Sequence, residues 1–223
     1  MPRFHERRLP HYHSVGHPIF VTWRLFNSLP ANRTFPAVAT SGQAFVAMDR
    51  LLDTARTGPL HLRRAEFAEM VIEAIEHCER EGHYALHNYV VMANHVHLLI
   101  TPRIELPKLT HSLKRFTARE SNRMLGVCGQ PFWQDESYDR WVRDEVEFER
   151  IADYIENNPV SAGLCASPED FRWSSGRRVE NPPQVANLPH KERESRERES
   201  RERESRERES RERESRETHT AAS

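Results

Sequence analysis

The segment YVVMANHVHLLITP, residues 89–102, constrains the fold more than any other part of the chain. Two apolar runs rich in β-branched residues flank a short turn at Ala93 and Asn94, and this pattern predicts an antiparallel hairpin. Its strands are predicted over residues 83–92 and 95–101. Amphipathic helical patterns precede and follow the hairpin, so we expect its strands to join a sheet that helices cover.

The rest of the pattern completes a small α+β domain. Further strands are predicted over residues 19–26 and 138–142, because both runs are rich in β-branched and aromatic side chains. Helices are predicted over residues 41–55, 66–80, 106–125 and 144–157, and Pro159 is expected to end the last of them. Two strand–helix–strand crossovers around one hairpin describe a ferredoxin-like (RRM-like) sandwich, with one antiparallel sheet and helices packed on one face.

The end of the chain is a different kind of sequence. From Lys191 the chain repeats a five-residue unit of Arg, Glu and Ser, and residues 191–223 contain 11 basic and 11 acidic side chains. Such a segment has almost no apolar surface to bury, so it does not join a core. We therefore predict a catalytic domain over residues 1–180, followed by a linker and a disordered low-complexity tail over residues 181–223.

Composition excludes some classes of protein. The net charge of −1 argues against a general nucleic-acid binder with a large basic excess, although a local basic stripe is compatible with it. No apolar run approaches the roughly 20 residues of a membrane span, and no signal peptide is visible. The three cysteines match no zinc or redox spacing. We expect a soluble cytoplasmic protein without disulfides.

His95 and His97 share one face of the second hairpin strand, because successive side chains of a strand alternate. Alone, such a pair more often means two half-buried histidines than a binding site. Imidazole nitrogens also bind Zn, Mn, Ni or Cu, so the pair is a candidate metal site. Two ligands do not decide which metal it holds.

The segment IADYIENNPVSAGL, residues 151–164, carries candidate partners for these histidines. Tyr154 and Asn158 are four residues apart, so they lie on one edge of the predicted helix. Alone, the tyrosine indicates packing and the asparagine a helix end. Beside two imidazoles, the amide oxygen would complete an N/O site for Mg²⁺ or Mn²⁺, and the nitrogen ligands favour Mn²⁺. A tyrosine hydroxyl beside a metal-held phosphate is a candidate nucleophile.

HVHLL on a central strand, followed by a single tyrosine in DYIENNPVSAGL, resembles the single-tyrosine HUH transposases, and most of all their REP-associated tyrosine transposase branch. The resemblance covers about residues 7–175 and includes RRLPHYHSVGHPIFVTWRL, FWQDESYDRWVRDE and FRWSS. It implies that His95, His97 and Asn158 bind a divalent metal and that Tyr154 is the nucleophile. Family members usually carry proline where this chain has Ala93.

The reaction that this resemblance implies is DNA transposition. The enzyme would nick and rejoin single-stranded, hairpin-containing DNA through a 5′-phosphotyrosine intermediate, with Mg²⁺ or Mn²⁺ as its cofactor. The resemblance also favours a monomer over a dimer, and a prokaryotic protein associated with the nucleoid.

Basic side chains along the chain are candidate DNA contacts, since phosphates attract them. The candidates are Arg7, Arg8, Lys108, Arg115, Arg119, Arg123, Arg140 and Arg143. A solvated basic helix face explains the residues between 108 and 123 equally well. The tryptophans could stack on bases, but core packing is the better interpretation of Trp133, Trp141 and Trp173.

Two other functions are compatible with parts of this pattern. A domesticated relative would hold hairpin DNA without cutting it, and the complete set of chemical residues argues against that alternative. A small metallohydrolase would use His95 and His97 without Tyr154, and a covalent protein–DNA adduct would exclude it.

Deleting residues 191–223 should leave the melting temperature of the protein unchanged, because the deleted segment has no apolar face to bury. Differential scanning calorimetry of the full and shortened chains measures this. A large drop in melting temperature on deletion would show that the repeat packs on the domain.

Overall fold

The computed structural model describes residues 15–29 and 41–177. The chain divides into two units, residues 1–179 and residues 180–223, and every described residue belongs to the first. The predicted tail, its predicted disorder, and Arg7 and Arg8 lie outside the described residues. Within the described ranges, no helix is both long and apolar enough to cross a membrane.

Strands and helices alternate along the described chain much as the patterns predict. The elements are β1 (Ile19–Arg24), α1 (Ser41–Asp53), α2 (Ala65–Arg80), β2 (Tyr84–Val91), β3 (His95–Pro102), α3 (Leu106–Met124), β4 (Tyr138–Trp141) and α4 (Glu145–Ser161). Short 3-10 turns lie at His61–Arg63, Pro168–Asp170 and Ser175–Arg177.

The four strands form one antiparallel sheet in the order β2-β3-β1-β4. The hairpin strands β2 and β3 pair directly, and β1 lies between β3 and β4. In the β1–β3 pairing, Thr22 lies opposite His97 and Arg24 opposite His95. This order is that of the ferredoxin-like sandwich, so the predicted α+β fold is confirmed.

Helices cover both faces of this sheet. The sequence analysis predicted helices on one face only, so the structure has one helical layer more than predicted. The crossover helices α2 and α3 pack on the face that carries Val21, Trp23 and Leu98, as right-handed crossovers require. The opposite face carries Phe20 and Leu99 and packs against α1 and α4. The second layer is needed because β3 buries successive residues, so both of its faces must be shielded from water.

Helix α4 continues through Pro159, so the expectation that this proline ends the helix is wrong. Proline removes one backbone donor, but the next turn still closes: the Ala162 amide donates to the Asn158 carbonyl at 2.9 Å, and the Leu164 amide to the Pro159 carbonyl at 2.9 Å. Asn158 is therefore helical and stands one turn after Tyr154 on the same side of α4.

The segment FRWSS, residues 171–175, lies along the outer edge of β2. The Val91 amide donates to the Trp173 carbonyl at 2.9 Å, and the Tyr89 amide to the Ser175 hydroxyl at 3.0 Å. An isolated β-bridge joins Val90 to Ser174. These contacts satisfy backbone groups of β2 that would otherwise face solvent.

Asp144 caps α4, and its carboxylate accepts a hydrogen bond from the Glu147 amide at 2.7 Å. Asp144→Ala should lower the free energy of unfolding by about 1 kcal/mol, because the amide loses its acceptor. Urea denaturation should show a lower midpoint with an unchanged m-value. The control is Asp153→Ala, an exposed position of the same helix, and equal effects of the two substitutions would contradict a capping role.

Candidate active site

The two histidines of β3 turn the same ring nitrogen towards the site. His95 and His97 are fully buried. His97 Nδ1 lies 2.7 Å from the Thr22 hydroxyl, and His95 Nδ1 lies 2.7 Å from Asn94 Oδ1. These contacts fix the ring orientations, as outer partners do for ligating histidines. The two Nε2 atoms are left 3.1 Å apart.

Asp49 of α1 joins this pair, and the sequence analysis did not identify it. Its Oδ1 atom lies 3.2 Å from His97 Nε2 and 3.5 Å from His95 Nε2. Asp53, one helical turn later, places Oδ1 3.6 Å from His95 Nε2. Asp49, His95 and His97 each offer a ligand atom, and these atoms lie within 4.8 Å of one another. The only signal in the sequence was the four-residue spacing of Asp49 and Asp53.

Tyr154 and Asn158 reach the same carboxylate from α4. The Tyr154 hydroxyl donates a hydrogen bond to Asp49 Oδ2, and Asn158 Nδ2 donates to the same oxygen at 3.3 Å. The ring centroids of Tyr154 and His97 are 5.5 Å apart. The structure thus brings the four residues predicted to act together around Asp49, and their individual roles stay predictions.

Burial sets the protonation of the site. It lowers the pKa of His95 to about 3, so this imidazole is neutral at physiological pH. Burial opposes ionisation of Asp49, but His97, His95 and Asn158 outweigh it and lower the pKa of that carboxyl. Burial, together with the Asp49 charge, raises the pKa of Asp53 to about 7. A neutral imidazole and an ionised carboxylate are the forms that bind metals.

The buried oxygen atoms of this site fit a divalent cation. Among the described residues at this site, Asp49 Oδ1, Asp53 Oδ1 and Asn158 Oδ1 are buried acceptors without a hydrogen-bond donor. Buried polar atoms normally have partners, and a buried anionic group is costly without a compensating charge. Two imidazoles with carboxylate and amide oxygens form a mixed N/O set that suits Mn²⁺ and accepts Mg²⁺.

The predicted DNA contacts fall into two places. Lys108, Arg115, Arg119 and Arg123 are exposed on α3, which packs on the sheet face opposite the histidines. Ion pairs link Lys108 to Glu105, and Arg119 and Arg123 to Glu120. Arg140 and Arg143 instead lie beside Glu147 at the start of α4. The tryptophans pack in or against the core, as interpreted from the sequence.

Comparison with known proteins places this site in a family context. Residues 61–158 match a family model described as "Transposase IS200 like". This range includes His95, His97, Tyr154 and Asn158, and it excludes Asp49. No curated protein matches the chain. The resemblance to single-tyrosine transposases predicted from the sequence is confirmed.

A solved structure supports the fold independently. It is a REP-associated tyrosine transposase bound to a REP hairpin, and it is 20% identical to this chain with a TM-score of 0.50. The match covers 77% of this chain and 83% of that one. At this identity the likeness shows the fold.

Mn²⁺ should stabilise the protein through Asp49. At a Mn²⁺ concentration about a hundred times Kd, binding adds roughly 2.7 kcal/mol, which corresponds to a rise in melting temperature of about 5–10 °C for a domain of this size. Asp49→Asn should lose most of this rise, because it removes the anionic ligand and keeps the side-chain shape.

A thermal-shift titration with MnCl₂ measures the effect. Asp153→Asn, at an exposed position of α4, is the matched control and should keep the full rise. An equal rise in the Asp49→Asn variant would place the ion elsewhere.

Proposed function

We propose that this chain is a metal-dependent transposase that nicks and rejoins single-stranded, hairpin-containing DNA through a 5′-phosphotyrosine. The family match over residues 61–158 supports the transposase class. One observation carries the chemistry: the Tyr154 hydroxyl and the His95–His97 pair meet at the same carboxylate, that of Asp49.

Tyr154 is the proposed nucleophile. Its oxygen attacks the phosphorus of a phosphodiester, the phosphotyrosine bond forms as the bond between phosphorus and the 3′ oxygen breaks, and the 3′ oxygen takes a proton from water to become a hydroxyl. Asp49 Oδ2, which already accepts the Tyr154 hydrogen bond, is positioned to receive the phenolic proton. A second DNA hydroxyl then attacks the phosphotyrosine and reverses the step at a new junction. The ester retains the bond energy, so no nucleotide cofactor is required.

The proposed metal ligands are His95, His97 and Asn158, as predicted, with Asp49 added by its geometry. When bound, Mn²⁺ or Mg²⁺ polarises the phosphodiester and offsets the charge that develops during displacement. Asn158 brings Oδ1, a buried acceptor without a donor, to this set. Thr22 and Asn94 hold the two imidazoles in the orientation that presents Nε2.

The proposed partner is hairpin DNA, by analogy with the solved relative that is bound to a REP hairpin. The exposed cations of α3 stand across the sheet from Tyr154. We propose that they contact phosphates of the hairpin, away from the bond that is cut. The proposed state is a monomer in a prokaryotic cytoplasm, at the nucleoid.

Tyr154→Phe should abolish the covalent protein–DNA adduct and leave hairpin binding nearly unchanged, because it removes only the attacking oxygen. His97→Ala should also abolish adduct formation, but excess Mn²⁺ should restore part of it, since the other ligands keep some affinity. The measurement is adduct formation on a labelled hairpin oligonucleotide, followed on a denaturing gel across a Mn²⁺ titration.

Tyr138→Phe is the matched control for this experiment. The Tyr138 ring lies on the same face of the sheet, 4.4 Å from the Phe45 ring between centroids, so the variant removes a neighbouring phenol and should keep the adduct. Adduct formation by Tyr154→Phe would identify another nucleophile, with Tyr138 as the next candidate. Binding without any adduct in the unmodified protein would instead indicate a domesticated DNA-binding protein.

A further inference from the structure

Three arginines converge on one buried carboxylate at the start of α4. Glu147 is 4% exposed. Arg140 donates to it from Nε at 2.9 Å and from Nη2 at 2.5 Å. Arg143 donates from its backbone amide at 2.9 Å and from Nε at 3.0 Å. Arg150 adds a contact from Nη2 at 3.2 Å. We call these four residues the arginine cluster.

The arginine cluster lies on the sheet face that carries the site. Arg140 is paired across strands with Phe20, and directly paired residues place their side chains on the same face. The Phe20 ring lies 6.1 Å from the Tyr154 ring and 5.5 Å from the His97 ring between centroids. Arg150 precedes Tyr154 by one helical turn, and Glu147 precedes it by two, which is about 10 Å along the helix axis.

The charge of the arginine cluster exceeds what Glu147 needs. A single guanidinium would neutralise this carboxylate, and three leave a surplus of two positive charges. Arg143 and Arg150 have exposed side-chain fractions of 70% and 69%, against 29% for Arg140. Each guanidinium has five N–H donors, so both exposed arginines hold donors that Glu147 does not use.

The charge of Asp144 acts on Arg143 and offsets part of this surplus, while the other acidic neighbours lie away from the site face or further along the helix. Glu145 and Glu149 stand two residues from Glu147, which places them about 200° around the helix, on its other side. Asp139 precedes Arg140 in β4 and so points to the other face of the sheet. Asp144 accepts the Glu147 amide as the helix cap. Asp153 is the exposed acidic residue next to Tyr154 in α4, and it points about 100° around the helix from the Tyr154 side chain.

Glu147 also keeps these arginines in place before any ligand arrives. Burial opposes its ionisation, but hydrogen bonds from Arg143 and Arg140 outweigh burial and lower the pKa of Glu147 to about 2. The carboxylate is therefore charged throughout the physiological range. Guanidinium groups held in fixed positions bind phosphates bidentately and lose little side-chain entropy on binding.

We propose that Arg140, Arg143 and Arg150, held by Glu147, bind the backbone phosphates of the single strand that leads to the bond cut at Tyr154. The separation of about 10 Å along the helix axis between Glu147 and Tyr154 is short enough for the arginines to contact phosphates within a few nucleotides of the bond that is cut. The inference rests on the proposed function and adds a substrate-positioning site to it. Glu147 is a positioning residue that acts through the arginines, and Arg150 is a contact that the sequence analysis did not include.

The test compares two DNA probes in a Tyr154→Phe background, where binding is not complicated by cleavage. One probe is a hairpin from the flank of the gene that encodes this chain, extended by a single-stranded oligo(dT) segment. The other is the same hairpin without the extension. Fluorescence anisotropy over a series of salt concentrations gives the affinity and its salt dependence for each probe.

Arg143→Gln with Arg150→Gln should make the negative slope of log affinity against log salt less steep by about 1.4 for the extended hairpin, since each phosphate contact on single-stranded DNA contributes about 0.7 to its magnitude. The single change Arg150→Gln should reduce the magnitude of the slope by about 0.7. Neither variant should alter binding of the hairpin without the extension. Both side chains are exposed, and unchanged melting temperatures verify that the fold is retained.

The matched control is Arg64→Gln with Arg80→Gln. These side chains pair with Glu66 and Glu73 at 53% and 54% exposure and belong to the α2 side of the sheet, so the variant should keep the original slope. An unchanged slope in the test variant, or an equal loss on both probes, overturns the inference. If the Tyr154→Phe protein binds neither probe, the proposed function fails as well, and this result differs from the other two.

Discussion

The buried carboxylate of Asp49 holds the site together. A charged side chain inside a protein must be compensated from every side, because each uncompensated contact with an apolar neighbour costs free energy. Its two oxygens face different elements: Oδ2 accepts hydrogen bonds from Tyr154 and Asn158 of α4, whereas Oδ1 faces the Nε2 atoms of the β3 imidazoles without a hydrogen-bond partner among the described residues. The relative positions of α1, β3 and α4 at the site depend on this one group.

The parts of the site that the sequence predicted are those set by local periodicity. His95 and His97 share a face because a strand repeats every two residues, and Tyr154 and Asn158 share an edge because a helix repeats nearly every four. Asp49 and Asp53 have the same helical spacing, but local periodicity does not predict which strand a helix packs against. That information is tertiary, and α1 also precedes the range that matches the family model.

Two further differences have the same origin. Pro159 was expected to end α4 because proline removes one backbone hydrogen bond. The helix continues because Pro159 is buried and the hydrogen bonds of the following turn still form. The basic residues of α3 and those near Glu147 look alike in the sequence, yet they stand on opposite sides of the sheet. The α+β fold itself was predictable, since the order of strands and helices leaves few topologies for a single sheet.

The segment that covers the outer edge of β2 has a consequence for the solution behaviour of the domain. An open strand edge offers unpaired backbone groups to any other strand, and proteins avoid aggregation by shortening or shielding such edges. Here the Trp173–Ser175 backbone and side chains shield β2, while the opposite edge strand, β4, is only four residues long. A fragment that stopped before Trp173 would keep Tyr154 and the histidines, but it would expose the unpaired backbone groups of β2 to other chains. The smallest fragment of this chain that resists aggregation through β2 therefore extends past Ser175.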